Sequence, residues 1–251
     1  MKAFTTYTIL VITILMTISI NNAEAQRWKR TRYELVAGIG PSIFLGEFGG
    51  SYRTGSHFLG DLDMQATRYN IMLGARYKMQ EKFAIKMNFI YARVHGSDKY
   101  TTNEGRIPRN GTFSSPIFET SFQMEYSLLK ERFGTRYTFQ YMKKFKLSHV
   151  NTYLFLGAGG FFFNPTVTAD GHSNMNEEYS KVNLAIPFGI GFKYGINRRY
   201  SLGIEIGQRL TSTDYIDGWS DKYSKGRDSY GFLLVNLTYK LKTARSGLPK
   251  F

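Results

Sequence analysis

Residues 182–207 read VNLAIPFGIGFKYGINRRYSLGIEIG, and two kinds of residue alternate through most of this stretch. Large apolar side chains occupy every second position from Val182 to Tyr194, with small or polar residues between them. A period of two residues is typical of a β-strand and argues against an amphipathic helix. Because the alternation resumes at Tyr200 after the polar residues 197–199, the stretch predicts a long β-hairpin.

The same alternation marks eight segments of the chain, most of which are long. An ordinary soluble strand has about 5–6 residues, whereas a tilted strand that crosses a membrane needs about 9–11. The segments are residues 33–45, 67–79, 83–94, 116–129, 152–163, 181–194, 200–210 and 229–241.

The residue types on the two faces indicate which face points inward. Gly189, Gly191, Gly203 and Gly207 lie on the polar face. A crowded barrel interior needs small residues there, whereas exposed strands rarely use glycine. Tyrosine and phenylalanine occur near strand ends, as in the aromatic girdles of membrane barrels. We therefore predict an all-β fold, an eight-stranded antiparallel up-and-down outer-membrane β-barrel whose apolar side chains face lipid.

The lengths of the connections support this prediction, because such barrels alternate short periplasmic turns with long external loops. The long connections are residues 46–66, 95–115, 164–180 and 211–228, and the short ones are 80–82 and 195–199. Residues 130–151 are the exception, an oversized and basic insertion on the predicted periplasmic side.

The first residues have the features of a secretory signal. Lys2 precedes an apolar run at residues 7–20, and Ala23-Glu24-Ala25 has the form of a signal-peptidase site. We predict a signal peptide at residues 1–25 with cleavage after Ala25, and a single outer-membrane barrel domain at 26–251. The chain has no cysteine, which excludes disulfides and thiolate metal sites.

The charge of the chain is concentrated at one predicted end of the barrel. The formal net charge is +14, and predicted export argues against a nucleic-acid partner. The termini and periplasmic connections carry 17 basic and two acidic residues, whereas the four external loops carry 12 acidic ones. Two interpretations are open: a solvated rim that contacts lipid headgroups, or a docking surface for an acidic periplasmic partner.

The insertion favours the docking interpretation. Residues 135–146 read TRYTFQYMKKFK and combine basic with aromatic side chains. Protein interfaces are enriched in aromatic residues and arginine. The candidate partner-binding residues are Arg136, Tyr137, Phe139, Tyr141, Lys143, Lys144, Phe145 and Lys146.

Charged residues on the polar face predict a closed lumen. An eight-stranded barrel encloses just enough volume for its own side chains, so a solute channel is not expected. Opposite charges would have to pair there, because an unmatched buried charge is costly. The candidate luminal ion-pair residues are Arg68, Arg76, Lys86, Glu119, Glu125, Glu205 and Arg209.

One short motif could suggest catalysis. His95-Gly96-Ser97 superficially resembles the His-x-Ser of outer-membrane lipid A deacylases, which need a serine, a histidine base and an orienting carboxylate. His95 lies on the lipid-facing parity, whereas Glu119, the nearest strand carboxylate, lies on the luminal parity. We therefore predict that the protein is not an enzyme.

No cofactor or metal is predicted. Asp214 and Asp217 could contribute to a calcium site, but two acids are far fewer than the six to eight oxygen ligands that calcium takes. We expect this loop to be solvated.

Three phrases resemble the PorG-like outer-membrane proteins of the type IX secretion system. They are GEFGGSYRTGSHFLGDLD at residues 46–63, SPIFETSFQMEYSLL at 115–129 and TDYIDGW at 213–219. The resemblance implies a non-catalytic component of the translocation and gliding machinery that anchors periplasmic ring proteins, a lipoprotein in particular, to the outer membrane. It draws attention to an external-loop motif of Asp61, Asp214, Tyr215 and Asp217.

Two functions remain as hypotheses. The first is an anchor in protein secretion that docks its partner through residues 135–146 and the two basic termini. The second is a stand-alone small barrel for adhesion or envelope stability, in which the external tyrosine-rich loops are the working surface.

Overall fold

The computed structural model describes residues 27–45, 67–98, 111–129, 150–169, 172–173, 179–218, 227–244 and 246–250. A short 3-10 helix, Arg27–Thr31, precedes the first strand. The strands are β1 (Tyr33–Leu45), β2 (Arg68–Lys78), β3 (Phe83–Ser97), β4 (Thr112–Ser127), β5 (Val150–Phe163), β6 (Thr166–Ala169), β7 (His172–Ser173), β8 (Val182–Gly195), β9 (Tyr200–Thr211), β10 (Ser229–Lys240), β11 (Lys242–Thr243) and β12 (Pro249–Lys250).

Eight long strands close into a ring. The order around it is β3, β2, β1, β10, β9, β8, β5 and β4, and pairing of β3 with β4 completes the circle. Each pairing is antiparallel, and the first long strand pairs with the last from Glu34–Lys240 to Leu45–Ser229. The predicted eight-stranded up-and-down barrel is therefore confirmed.

The loop end of the barrel, where the long connections lie, contains more strand than predicted. β3 continues to Ser97 and β4 begins at Thr112, so the predicted connection 95–115 is shorter in the structure. The predicted loop 164–180 likewise contains β6 and β7. β6 pairs with the first residues of β4, which satisfies backbone groups where β4 extends beyond the ring.

The faces of the wall are inverted relative to a soluble barrel. Large apolar side chains point outward, including Leu184 (69% exposed), Met124 (62%) and Leu73 (60%). Charged side chains such as Lys86 and Glu205 point inward and are buried. This polar interior and apolar exterior are the arrangement of an outer-membrane barrel.

The interior has two layers of different chemistry. An apolar cluster at the loop end includes Phe113, Ile117, Phe161 and Phe232. Charged residues fill the middle and the terminal end, where the chain termini lie. Among the described residues, no helix is long and apolar enough to cross a membrane.

Two tight turns close the terminal end. Between β2 and β3, the Gln80 N–H donates to the Phe83 carbonyl at 3.0 Å. Between β8 and β9, the side chain of Asn197 accepts hydrogen bonds from the N–H groups of Arg199 (2.7 Å) and Tyr200 (2.8 Å). Such a local side-chain bond is typical of asparagine in turns and explains why the chain reverses at this position.

Candidate functional site

Arg76 of β2 is the centre of a buried ion-pair network. Its guanidinium lies 3.0 Å from Glu34 Oε2, 2.7 Å from Glu125 Oε2 and 3.5 Å from Glu205 Oε1. The three carboxylates come from β1, β4 and β9, so one side chain links four strands across the lumen. A buried cation needs such partners, because leaving it unmatched in the interior is costly.

Further side chains complete this network. Lys86 Nζ lies 2.6 Å from Glu205 Oε1, and the Tyr153 hydroxyl donates to the same oxygen at 2.6 Å. Lys78 and Lys193 both pair with Glu34, at 2.6 and 3.3 Å. The network therefore extends from mid-barrel to the terminal end.

A second cluster lies nearer the loop end. Arg209 Nε is 3.3 Å from Glu119 Oε2, and the guanidinium stacks 4.2 Å above the Phe232 ring. Glu119 also accepts hydrogen bonds from Tyr230 at 3.0 Å and Ser121 at 2.8 Å. Because Tyr230 and Phe232 also belong to the apolar cluster, the Arg209–Glu119 pair lies against that cluster.

The structure brings six of the seven predicted luminal residues into these two clusters. The seventh, Arg68, is half-buried and donates to the Thr67 carbonyl at 3.0 Å. Sequence reasoning missed Glu34, Lys78, Lys193 and Tyr153 as members. The alternation could have identified them, because each of the four lies at an inward-facing position of its strand.

The terminal end carries an ordered basic rim. The 3-10 helix is held against the C-terminal hairpin, because the Arg32 N–H donates to Thr243 Oγ1 at 3.2 Å. The guanidinium of Arg32 lies 4.9 Å from the Trp28 ring centre. We define the terminal rim by its partly or fully exposed members, Trp28, Lys29, Arg30, Arg198, Arg199 and Lys242.

Lys240, one of the 17 basic residues that the sequence assigns to this end, does not belong to the exposed rim. Lys240 is 1% exposed at the last position of β10, because the alternation of that strand turns its side chain inward. Residues 130–149 of the predicted insertion lie outside the described residues, and its last two residues, Val150 and Asn151, belong to β5. The undescribed part includes the candidates Arg136, Tyr137, Phe139, Tyr141, Lys143, Lys144, Phe145 and Lys146.

An aromatic cap covers the loop end. Phe163 stacks on Tyr179 with ring centres 6.0 Å apart, and Tyr179 stacks on Tyr215 at 5.1 Å. Ile216 is fully buried beneath the loop. Tyr215 of the predicted motif is thus a packing residue, and Asp61 lies outside the described residues.

The expectation of a solvated acidic loop is wrong for Asp217, which is fully buried. Asp228, which the sequence did not single out, accepts a hydrogen bond from the Ile216 N–H at 2.9 Å. Burial, with Asp217 and Asp214 nearby, raises the pKa of Asp228 well above its ordinary value. In the described part of the chain, histidines and acids form no group of three or more suited to a metal ion.

His95 is placed as the parity predicts. It lies opposite Ser114 in the β3–β4 ladder and is half-buried on the outward face. Glu119 points into the lumen and bonds with Arg209. The wall of the barrel therefore separates this histidine from that carboxylate.

Comparison with known proteins gives one family and a set of similar folds. The family model described as a domain of unknown function, DUF6089, matches residues 10–239. No curated protein matches the sequence. Among solved structures, Neisserial surface protein A is 12% identical with a TM-score of 0.42, covering 83% of this chain and 96% of that chain.

Two further solved structures are similar. The attachment invasion locus protein Ail of Yersinia pestis is 12% identical with a TM-score of 0.42, over 84% of this chain and 99% of that chain. The outer membrane protein OprG of Pseudomonas aeruginosa is 9% identical with a TM-score of 0.39, over 84% and 97%.

Proposed function

The chain belongs to the DUF6089 family, a domain of unknown function, and we propose that it is a non-enzymatic outer-membrane anchor in a protein secretion machine of the type IX kind. Its acidic loop end faces the cell exterior and its basic terminal end faces the periplasm. There it holds a periplasmic lipoprotein or ring component. The resemblance of residues 46–63, 115–129 and 213–219 to PorG-like proteins supports the identity of the machine.

The terminal rim is the observation that carries this proposal. Lys29, Arg30, Arg198, Arg199 and Lys242 are exposed on one end of the barrel. The 3-10 helix presents two of them, and it is held by the hydrogen bond from the Arg32 N–H to the Thr243 hydroxyl of the C-terminal hairpin. An ordered group of cations is suited to an acidic protein surface, because complementary charges steer association and select the partner.

The filled lumen supports an anchoring role over a transport role. Arg76, Lys86 and Arg209 are each 2% exposed or less and lie in ion pairs across the barrel. Passage of a solute would require breaking several of these pairs, and each would leave a buried charge unmatched.

Charge reversal tests the proposal. We expect Lys29→Glu/Arg30→Glu to abolish co-purification of the periplasmic partner from mildly solubilised envelopes, and Lys143→Glu/Lys144→Glu/Lys146→Glu to do the same through the insertion. The matched control, Lys181→Glu/Arg227→Glu, reverses two exposed cations at the loop end. Undiminished capture by both the rim variant and the insertion variant would contradict docking.

The alternative function, adhesion or envelope stability by a stand-alone barrel, is favoured by the aromatic cap. Tyr179 and Tyr215 are half-buried and stacked, so part of each ring remains accessible at the loop end. Tyr179→Ala/Tyr215→Ala should then reduce adhesion of cells to host or abiotic surfaces. Under the anchor proposal this variant retains partner capture.

A further inference from the structure

The wall of the barrel has a gap in its hydrogen-bond ladder between β5 and β8. Pairing runs from Val150–Tyr194 to Leu156–Phe188 and resumes at Gly159–Ala185. Pro187 lies within the interruption. Because proline has no N–H to donate, a proline inside a sheet removes a ladder bond.

Small side chains deepen this gap into a groove on the outer face. The outward positions of β5 carry Leu154, Leu156 and Phe162, but Ala158 and Gly160 lie between them. A Cβ atom added at Gly160 would meet only the Asn183 carbonyl oxygen, at 3.8 Å. Two consecutive outward positions therefore lack the bulk of their neighbours.

The groove has a volume of about 900 Å³, at the upper end of the 300–1,000 Å³ that is usual for ligand sites. Its sides are the exposed chains of Leu184, Ile186 and Leu210, and Ala158 lies on its floor. These belong to the apolar belt of the barrel, so the groove opens toward lipid rather than toward water.

Polar groups close the groove at its loop end. Arg227 is exposed and lines it, together with Ser212. The Ser212 hydroxyl donates to Asn183 Oδ1 at 3.2 Å and accepts from the Leu184 N–H at 3.0 Å. The Asp228 carbonyl next to Arg227 accepts from Thr211 Oγ1 at 2.6 Å, which fixes the backbone beside the arginine.

We propose that this groove binds one molecule of a phosphate-bearing acylated lipid of the outer leaflet, of the lipid A kind. An acyl chain lies over Ala158, and Arg227 contacts the headgroup phosphate. The charge favours this occupant, because a guanidinium at the polar end of an apolar groove pairs well with a phosphate. The inference rests on the membrane orientation of the proposed function but is independent of the periplasmic partner.

Native mass spectrometry of the full mature barrel, titrated with purified lipid A in detergent, tests the proposal. We expect one bound lipid A per barrel. Ala158→Phe fills the groove and displaces at least two methylene groups of the acyl chain from it. We expect this variant to bind lipid A about tenfold more weakly. Arg227→Gln removes an exposed charge contact and should weaken it about two- to fivefold.

The chain offers matched controls on the opposite wall. Ala75 of β2 and Arg93 of β3 are both exposed on the outer face, so Ala75→Phe and Arg93→Gln should bind lipid A as the wild type does. If Ala158→Phe folds poorly, as judged by heat-modifiable migration, Ala158→Leu places a smaller side chain at the same position of the groove.

Three results would overturn the inference. Equal weakening by Ala75→Phe would indicate general contact with the belt, and full binding by a folded groove-filling variant would exclude the groove. Dephosphorylated lipid A bound as tightly as lipid A would exclude the headgroup contact. Each result leaves partner capture by the terminal rim unaffected, so failure here is distinct from failure of the anchor proposal.

Discussion

Arg76 shows how single residues set the character of the interior. One guanidinium neutralises parts of three carboxylates, and each of those carboxylates comes from a different strand. Burial removes the hydration of all four groups, so the pairs must replace it. The arrangement makes a charged core that links the strands through their side chains, with the Tyr153 ring 5.3 Å from the Arg76 guanidinium.

Replacing Arg76 by methionine is therefore expected to lower the free energy of unfolding by about 3–5 kcal/mol, since three buried carboxylates lose a partner. Urea-induced unfolding of the refolded barrel in lipid vesicles measures this. The control Arg198→Met removes an exposed turn arginine and should change stability by no more than about 0.5 kcal/mol. Equal effects of the two variants would rule out a structural role for the network.

We expect Asp228 to make the folding of the loop at residues 211–218 sensitive to pH. Its folded-state pKa is raised, so the closed loop holds a proton that the opened loop releases above about pH 3.9. Between the raised pKa of the folded state and about pH 3.9, lowering the pH therefore stabilises the closed loop. Raising the pH through the same window removes that stabilisation.

Hydrogen exchange of residues 211–218 should therefore slow as pH is lowered through this window, after correction for intrinsic rates. Asp228→Asn keeps an oxygen that can accept from the Ile216 N–H, and it should remove the extra pH dependence. A wild-type loop whose protection is independent of pH would contradict the raised pKa.

Sequence reasoning at the residue scale succeeded where strand parity decides the outcome. Glu205 and Lys86 face inward because of their positions, and their opposite charges then require pairing. It failed at Asp217, because burial in a loop depends on how residues 211–218 fold back over Ile216, which no period in the sequence encodes.

At the scale of elements, glycines on β5 and β8 differ by the direction in which they face. A Cβ atom on Gly191 would overlap the inward ring of Tyr153, whereas a Cβ atom on the outward-facing Gly160 would make only an ordinary contact with the Asn183 carbonyl oxygen at 3.8 Å. Glycine thus allows close packing inside the barrel at β8, and on β5 it leaves an outward position without a side chain.

The same substitution at both sites should therefore give opposite results. Gly191→Val is expected to cost about 1–3 kcal/mol through overpacking against Tyr153. Gly160→Val should be close to neutral, within about 0.5 kcal/mol. Urea midpoints of the two refolded proteins give the comparison, and a neutral Gly191→Val would show that Tyr153 can move without cost.

Most ends of the eight long strands could be predicted to within two residues, because alternation specifies both strand and face. The exceptions are β3, which ends three residues later than predicted, and β4, which begins four residues earlier. β1 and the start of β9 agree with the predicted bounds. β6, β7, β11 and β12 could not be predicted, because strands of two to four residues show no measurable period. The gap at Pro187 was also missed, since its effect depends on the β5 register.

At the scale of the whole molecule, the distribution of charge gives the barrel a direction. Exposed basic residues of the terminal rim lie at one end, and Asp214, Asp217 and Asp228 lie at the other, where only Asp214 of the three is partly exposed. The chain has no cysteine, so single cysteines can report which end faces the medium.

We expect Ser180→Cys at the loop end to react with a membrane-impermeant maleimide on intact cells. Arg198→Cys at the terminal end should react only after the outer membrane is permeabilised. Both positions are exposed, so intrinsic accessibility is matched. Labelling in the reverse order would place the terminal rim outside the cell.

Binding of a periplasmic partner by the terminal rim can be tested in living cells. The most direct measurement places a photo-crosslinking amino acid at Arg30 or Arg198 in living cells, with Lys181 at the loop end as the control position. We expect a discrete crosslinked periplasmic protein from the first two positions and none from the third. No crosslink from either rim position, in cells whose secretion is intact, would contradict it.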